Sequence, residues 1–246
     1  MRGAFTIEER ERVREALVEM ARRDARVVAA AAVGSSARGG DRWSDLDLTF
    51  GLAAGLPLAA VLDEWTSELA ERFDAVPLFD LPFLSSVYRV FLLPGGLQVD
   101  VSFTPGAEFG AVGPEFALLF GEAVERRPPE PASARQLFGM GVHHAVRARV
   151  CVERRQTWQA EYWIAEARHQ ALSAACRARG LPAGYGRGFD RLPPLVLSAF
   201  AGTLPRSRQP DELRRALDRV VAATLVVARD VPGLPAGIEE RLRELS

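Results

Sequence analysis

Three aspartates stand inside short apolar runs, where an acidic side chain needs a partner. Asp45 and Asp47 lie one residue apart in DLDLTF, and Asp100 sits at the centre of LQVDVSF. Both runs alternate like half-buried strands, which places the acids on one face and the apolar residues on the other. Carboxylates this close repel one another unless a cation lies between them, and Mg²⁺ prefers oxygen ligands of this kind.

A glycine-serine turn precedes these acids. Gly34 and Ser35 follow an apolar run and come ten residues before Asp45. At a strand-to-helix turn, a missing side chain lets backbone N–H groups approach phosphate, and the helix N-terminus favours negative charge. Three carboxylates on two neighbouring strands could hold two metal ions about 3.5–4 Å apart, as enzymes do for in-line displacement at phosphorus. The pattern predicts a phosphate-binding turn beside a metal site.

The elements that must position these residues change in type along the chain. Strands are expected at residues 26–33, 45–51, 76–81, 87–93 and 97–103, with helices from residue 7, at 35–40 and at 58–73. Three prolines within 128–131 end any regular element. Helical spacing then covers about 132–155, 157–179, 210–229 and 235–245. The fold class is α+β: an α/β domain with a mixed sheet at 1–127, followed by an all-helical bundle domain at 128–246.

Composition excludes several kinds of chemistry. The 246 residues are 48% hydrophobic and 26% charged, with a net charge of -1, so no basic or acidic balance suggests nucleic-acid or membrane binding. All 31 basic residues are arginine, which excludes a lysine Schiff base and the lysine-bearing phosphate loop. The charged N-terminus lacks the apolar core of a signal peptide, and two cysteines are too few for a disulfide framework. A cytoplasmic location is expected.

The spacing of these residues resembles a known motif. Gly34 and Ser35, then the pair Asp45-x-Asp47, then Asp100 on a later strand are similar to the nucleotidyltransferase superfamily of DNA polymerase beta. Within it, Gly-Ser-Ser-Ala-Arg-Gly-(x)4-Ser-Asp-Leu-Asp-Leu most resembles the aminoglycoside and lincosamide nucleotidyltransferases. The resemblance covers residues 26–104, and the helical half matches in general character alone.

The resemblance implies a reaction and a role for each motif residue. Gly34 and Ser35 would bind the triphosphate of a nucleotide, while Asp45 and Asp47 would hold its Mg²⁺. Asp100 would join them at a second Mg²⁺ and favour deprotonation of the acceptor hydroxyl. The acceptor would attack the α-phosphorus and release pyrophosphate, which transfers AMP if the donor is ATP. The implied acceptor is a small molecule, such as an aminoglycoside or lincosamide antibiotic, and the implied role is antibiotic resistance.

Five further residues are candidates for contacts with the nucleotide or for the general base. Arg38 follows the turn and is expected to touch phosphate, and Ser44 either contacts the nucleotide or caps its turn. Related enzymes take a general base and a phosphate-binding group from their helical domain, for which Glu161 or Glu166 and Arg168 are the candidates here. For each of these three, a solvated helix face with ion pairs is an equal alternative.

A second hypothesis is a regulator, the nucleotidyltransferase half of a toxin–antitoxin pair that acts on a partner protein. The long helical half and the absence of a clear Arg-(x)4–6-His motif favour the small-molecule enzyme. The expected partners are a nucleotide and a small-molecule acceptor, with no membrane and no nucleic acid. A homodimer stays open, as do the number of metal ions and the preferred nucleotide.

Overall fold

A computed structural model describes residues 4–127 and 129–245 of the chain. The chain divides into two compact units, Met1–Pro129 and Glu130–Ser246. The first unit combines helices with a sheet, and the second is helical. Each unit is described by itself below.

The first unit is built on a six-stranded mixed sheet. Its strands are β1 (Val27–Val33), β2 (Leu46–Leu52), β3 (Val76–Phe83), β4 (Ser86–Leu93), β5 (Leu97–Pro105) and β6 (Phe116–Phe120). Their order across the sheet is β3-β4-β5-β2-β1-β6. The pair β2 and β5 is parallel, and every other neighbouring pair is antiparallel. Because β2 and β5 are separated in sequence but adjacent in space, residues of both strands can serve one site.

Two helices form a core with one face of the sheet. Helix α1 (Ile7–Arg23) begins at a capping box, and helix α2 (Leu58–Phe73) follows β2. From α2 the indole ring of Trp65 packs 4.9 Å from Phe50 of β2 and 5.1 Å from Phe103 of β5, measured between ring centroids. Aromatic pairs at this spacing add to the hydrophobic stabilisation of a core. The helices therefore fix β2 and β5 through one face of each strand.

The acidic residues alternate with this core along the same strands. Leu48 and Val101 are fully buried in it, while their neighbours Asp47 and Asp100 are half-buried. Successive side chains of a strand leave opposite faces, so the carboxylates leave the face that is turned away from α1 and α2. Phe109 covers part of that second face, where it packs with alanines of β1. The result is a sheet with one apolar face and one face that carries acids.

The second unit is made of helices. They are α3 (Ala134–Glu153), α4 (Thr157–Ala178), α5 (Pro194–Ala199), α6 (Pro210–Ala228) and α7 (Ile238–Arg243). Helix α3 begins at a capping box formed by Ser133 and Gln136. Small residues dominate the contact of α3 with α4; a side chain at Gly141 would stand 3.4 Å from Cβ of Gln170. Small side chains let helix backbones approach closely, so these two long helices form the centre of the unit.

The structure confirms the α+β class, the mixed sheet and the helical second half. It also corrects four details. Strand β2 begins at Leu46, so Asp45 lies just before the strand, and the short helix expected at 35–40 is a 3₁₀ turn at Gly34–Arg38. Strand β6 and the six-residue helix α5 were not predicted, since both are too short for a clear periodic pattern. In the described part of the chain, no helix is long and apolar enough to cross a membrane.

Candidate active site

Two of the three predicted acids lie side by side on the sheet. Asp47 of β2 is the direct partner of Asp100 in β5, and the register continues through Leu48 and Val101. Paired residues on parallel strands project from the same face, so the two carboxylates leave the sheet together. Asp45 precedes β2 by one residue and is also half-buried. The structure therefore brings the predicted acids to one end of the β2–β5 pair.

The charges of these acids act on one another. Burial raises the pKa of Asp100, and the negative charge of Asp45 raises it further. The side-chain amide of Gln98 donates to Asp100 Oδ1 at 3.0 Å, which opposes the shift. Burial and the negative charge of Asp45 both disfavour the ionised form of Asp100. A cation bound nearby would offset both effects. The electrostatics therefore favour a cation at this face.

Tyr88 of β4 lies on the same face of the sheet as Asp100. It is the cross-strand partner of Ser102, two residues beyond Asp100 on β5. Burial raises the pKa of the Tyr88 phenol, and the charges of Asp47 and Asp100 raise it further, while the Ser102 hydroxyl and Arg126 lower it. No motif in the sequence marks Tyr88, because its place beside the acids depends on the register of β4 with β5.

Gly34 makes room for one of the acids. Its φ is +58°, and a Cβ at this position would lie 2.9 Å from Asp47 Oδ2, closer than real Cβ contacts. Glycine is therefore needed here for space as well as for backbone conformation. The Gly34 N–H donates to the carbonyl of Glu115 at 3.2 Å. This amide has a hydrogen-bond partner within the protein, and the contact of Gly34 with phosphate stays a prediction.

The two serines of the turn have different environments. Ser36 Oγ donates to the Asp45 carbonyl at 3.2 Å and accepts the Asp47 N–H at 3.1 Å, so it fixes the backbone on both sides of Leu46. Ser35 Oγ is buried and has no hydrogen-bond partner among the described residues. A buried hydroxyl without a partner is costly, which makes Ser35 the better candidate to bind a ligand. The sequence motif shows both serines but does not distinguish these roles.

Ser44 completes a turn in the loop that leads to β2. Its hydroxyl accepts the Asp41 N–H at 2.8 Å and donates to Asp41 Oδ1 at 3.1 Å. Its own N–H donates to the Asp41 carbonyl at 3.3 Å. Of the two roles expected for Ser44, the structure supports the turn, because these bonds occupy the hydroxyl locally.

Arg10 of α1 donates hydrogen bonds to the backbone of the same loop. Its side chain is 4% exposed, and its guanidinium donates to the carbonyls of Gly39 at 3.1 Å, Ser44 at 3.4 Å and Asp41. A buried arginine is stable only when its donors are satisfied, and backbone carbonyls do this here. The sequence shows Arg10 as one of many helix arginines. Only the fold reveals that it fixes the chain just before Asp45.

Arg38 lies at the end of the 3₁₀ turn. Its guanidinium pairs with the carboxylate of Glu115, and about three quarters of its side chain is exposed. An exposed ion pair of this kind contributes little to stability and exchanges readily. The structure thus places Arg38 at the turn, with Glu115 as its present partner in place of phosphate.

The helical-unit candidates separate onto two faces of α4. Glu161 and Arg168 lie seven residues apart, about two turns, and so share a face. Arg168 donates to the Thr203 carbonyl at 3.3 Å; burial lowers its pKa, which the charge of Glu161 opposes. Glu166 lies on another face, with its Oε1 3.6 Å from Nδ1 of His169. The part of these residues in catalysis stays a prediction.

The acidic residues of the first unit fit a metal ion that brings phosphate oxygens and water as its other ligands. In the described ranges, no group of three or more His, Cys, Asp or Glu residues is arranged to hold a metal ion alone. Mg²⁺ typically binds through one or two carboxylates, with substrate phosphates and water as its other ligands. The paired carboxylates of Asp47 and Asp100, with Asp45 beside them, match that requirement. They fit a Mg²⁺–triphosphate complex.

Comparisons with known proteins give structural likenesses alone. No model of a protein family matches the chain, and no curated protein matches it. Among solved structures, it is similar to the crystal structure of an aminoglycoside 6-adenyltransferase from Bacillus subtilis, with 98% of each chain covered, 12% identity and a TM-score of 0.41. At this identity and score the likeness does not carry its activity over, so a function must be inferred from the site itself.

Proposed function

We propose that this protein is a Mg²⁺-dependent nucleotidyltransferase. The observation that carries the proposal is the direct pairing of Asp47 with Asp100 on parallel strands, beside a glycine whose missing side chain admits the Asp47 carboxylate. The negative charge of Asp45 raises the pKa of Asp100, and the Ser35 hydroxyl is buried without a partner among the described residues. A cation that carries phosphate would compensate the charge and give the hydroxyl an acceptor. The motif resemblance supplies the reaction class.

The proposed reaction transfers a nucleoside monophosphate to a hydroxyl group. The acceptor oxygen forms a bond to the α-phosphorus of the nucleoside triphosphate. The bond between that phosphorus and the bridging oxygen breaks, and pyrophosphate leaves with the electron pair. The proton of the acceptor hydroxyl is lost to a base. ATP is the proposed donor, and a small molecule such as an aminoglycoside or lincosamide is the proposed acceptor.

Five residues of the first unit have a part in this scheme. Bound Mg²⁺ would neutralise phosphate charge and make the α-phosphorus more electrophilic. Asp45, Asp47 and Asp100 would hold it, and the Asp100 carboxylate would favour loss of the acceptor's proton. Ser35 would donate its free hydroxyl to a phosphate oxygen. Tyr88 would close the neighbouring part of the face, where its phenol excludes water from the acids.

The first test is binding of nucleotide to the whole protein. Thermal unfolding is measured with each of the four nucleoside triphosphates, with Mg²⁺ and with EDTA. A ligand at 100 times its Kd stabilises the folded state by about 2.7 kcal/mol, a shift of several degrees in Tm. We expect stabilisation by one nucleotide, ATP in our proposal, that requires Mg²⁺ and is absent in the Asp47→Asn variant.

The second test is turnover. Pyrophosphate release is followed with the stabilising nucleotide and a panel of aminoglycosides and lincosamides, and the product is weighed by mass spectrometry. A mass gain of one nucleotide on an acceptor supports the proposal. Failure of every nucleotide to bind contradicts it. Nucleotide binding with transfer to a co-expressed protein in place of a small molecule would favour the regulator hypothesis.

A further inference from the structure

The helical unit contains a cavity of its own. Its volume is about 790 Å³, within the range of small-molecule sites, and its walls come from α3, α4 and the loop after α4. All of the described residues that line it belong to the second unit, and none of them is an acid of the sheet. Nothing in the proposed nucleotidyl transfer uses this cavity.

One face of α4 supplies the polar wall. Glu166, His169, Gln170 and Ser173 follow the spacing i, i+3, i+4 and i+7, which places them along a single stripe of the helix. Glu166 Oε1 lies 3.6 Å from His169 Nδ1. The buried residues of α4 are apolar, so these four side chains form the polar face of an amphipathic helix, and this face borders the cavity.

This wall presents hydrogen-bond acceptors, beside the donor groups of the His169 ring and the Gln170 amide. Gln170 Oε1 is buried and has no partner among the described residues. The Ser173 hydroxyl donates to the Ala183 carbonyl at 3.0 Å, so its lone pairs remain. Glu166 adds a carboxylate, and no arginine is among the described residues that line the cavity. Glu166 is the one acidic residue among the described residues of the lining, so a ligand that donates hydrogen bonds and carries positive charge matches its carboxylate.

The opposite wall is apolar and aromatic. Leu137 of α3 and Phe189 line it, and Tyr185 stands at its rim with its ring 98% exposed. Tyr185 has φ +54°, a left-handed conformation that is uncommon for an aromatic residue. Aromatic rings next to acceptor groups suit a cation that carries a hydrocarbon ring. Within the unit, the guanidinium of Arg187 lies over this ring, 5.6 Å from its centroid.

We infer that this cavity binds a small organic cation, an ammonium group attached to an apolar ring. The ammonium group donates to Glu166 and Gln170, and the ring packs against Phe189 and Leu137. The inference is independent of the proposed function, because it uses no residue of the acidic face. It also gives Glu166 a role in ligand binding in place of general-base catalysis.

The experiment uses phenethylamine as the probe and 2-phenylethanol as its neutral analogue. Binding to the full chain is followed by ligand-observed NMR and calorimetry, without nucleotide or Mg²⁺. We expect saturable binding of the amine at least about tenfold tighter than that of the alcohol, which corresponds to 1.4 kcal/mol. The Asp47→Asn variant should bind the amine equally well, so the result does not depend on nucleotidyl transfer.

Variants of the wall test the assignment of each acceptor. Glu166→Gln should weaken amine binding at least about tenfold, and the volume-conserving Gln170→Met about fivefold. Glu240→Gln, an exposed change on α7, is the control and should have no effect. Unchanged Tm in each variant shows that folding is intact. Equal affinity for amine and alcohol, no saturable binding below about 10 mM, or full affinity in Glu166→Gln would each overturn the inference.

Discussion

Asp47 and Asp100 are direct cross-strand partners in the parallel pair of β2 and β5. The same strands bury Leu48 and Val101 on their other face against α1 and α2. The apolar residues thus lock the register that brings the carboxylates together, because a slip of one residue would send the acids into the core. Hydrophobic packing on one face of the sheet positions the charged groups on the other.

Replacing either of these acids should remove transfer and leave folding intact. Asp47→Asn or Asp100→Asn keeps the shape of the side chain but removes a charged oxygen ligand. We expect the rate of transfer to fall by at least about 10²-fold, as when one group that stabilises the transition state is lost. The free energy of unfolding without Mg²⁺ should stay within about 0.5 kcal/mol or rise, because like charges no longer repel.

The measurement pairs pyrophosphate release with urea unfolding in EDTA. Glu71→Gln, an exposed change on α2, serves as the control and should alter neither quantity. Full activity in Asp47→Asn would remove the metal-binding role from the paired acids. A large loss of stability in both variants would instead indicate that the pair has a structural function.

Gly34 should tolerate no side chain. In Gly34→Ala, the new Cβ would stand 2.9 Å from Asp47 Oδ2 at a φ of +58°, so the carboxylate must move. Gly55→Ala is a matched control, since Gly55 has φ +79° and a Cβ added there would meet no atom of the described residues within 4 Å. Both should lose about 1 kcal/mol of unfolding free energy from backbone strain.

The two variants should differ in function. We expect Gly34→Ala to lose Mg²⁺-dependent nucleotide stabilisation, measured as the shift in Tm, while Gly55→Ala retains it. Equal nucleotide binding in both variants would show that the position of the Asp47 carboxylate is not set by the space at Gly34.

The sequence indicates which face of each strand carries the acids, but it does not indicate how the strands pair. Alternation along DLDLTF and LQVDVSF places the acids on one face of each strand, and the apolar residues between them make that assignment robust. Whether the strands are neighbours, and in which register, depends on contacts between residues far apart in the chain. The pairing of Asp47 with Asp100 therefore needs the fold.

Supporting residues were missed for the same reason. Ser36 holds the backbone of Asp45 and Asp47, yet in the sequence it is one of two adjacent serines. Arg10 lies about thirty residues before the loop that it fixes, among several other arginines of α1. Strand β6 is five residues of apolar sequence without polar alternation, so periodicity gives no clear assignment.

Arg10 should be required to hold residues 39–44, the loop just before Asp45, in one conformation. Arg10→Met keeps much of the buried volume but leaves the carbonyls of Gly39, Asp41 and Ser44 without their donor. Gly39 and Asp41 are exposed and Ser44 is half-buried, so water can replace part of these bonds. A hydrogen bond to a charged group contributes about 1.5–3 kcal/mol net, so we expect a loss of about 2 kcal/mol in unfolding free energy. Faster amide hydrogen exchange should appear at residues 39–44.

Arg12→Met is the matched control, because Arg12 is exposed on the same helix and donates to the Glu8 carbonyl at a long distance of 3.4 Å. It should change stability by less than about 0.5 kcal/mol. If Arg10→Met shows the same exchange rates as the unmodified protein at residues 39–44, the loop is held by its own turn at Ser44 and not by the arginine.

Stability at low pH should depend on Asp24, where α1 ends. Hydrogen bonds from Arg26, at 2.9 Å to each carboxylate oxygen, lower its pKa from 3.8 to about 2, and the indole N–H of Trp65 at 3.1 Å adds to this. Burial opposes the shift. Because the folded pKa lies below the unfolded one, the stabilisation is present above pH 4 and is lost as the pH falls towards 2.

The comparison of Asp24→Asn with the unmodified protein measures this contribution. We expect a difference in unfolding free energy of about 2 kcal/mol at pH 7, from a shift of nearly two pKa units, and about half of that at pH 3. Urea unfolding at pH 7, 5, 4 and 3 gives the values, with the exposed Glu15→Gln change as control. A difference that stays constant from pH 7 to pH 3 would mean that Asp24 acts through hydrogen bonds that its charge does not strengthen.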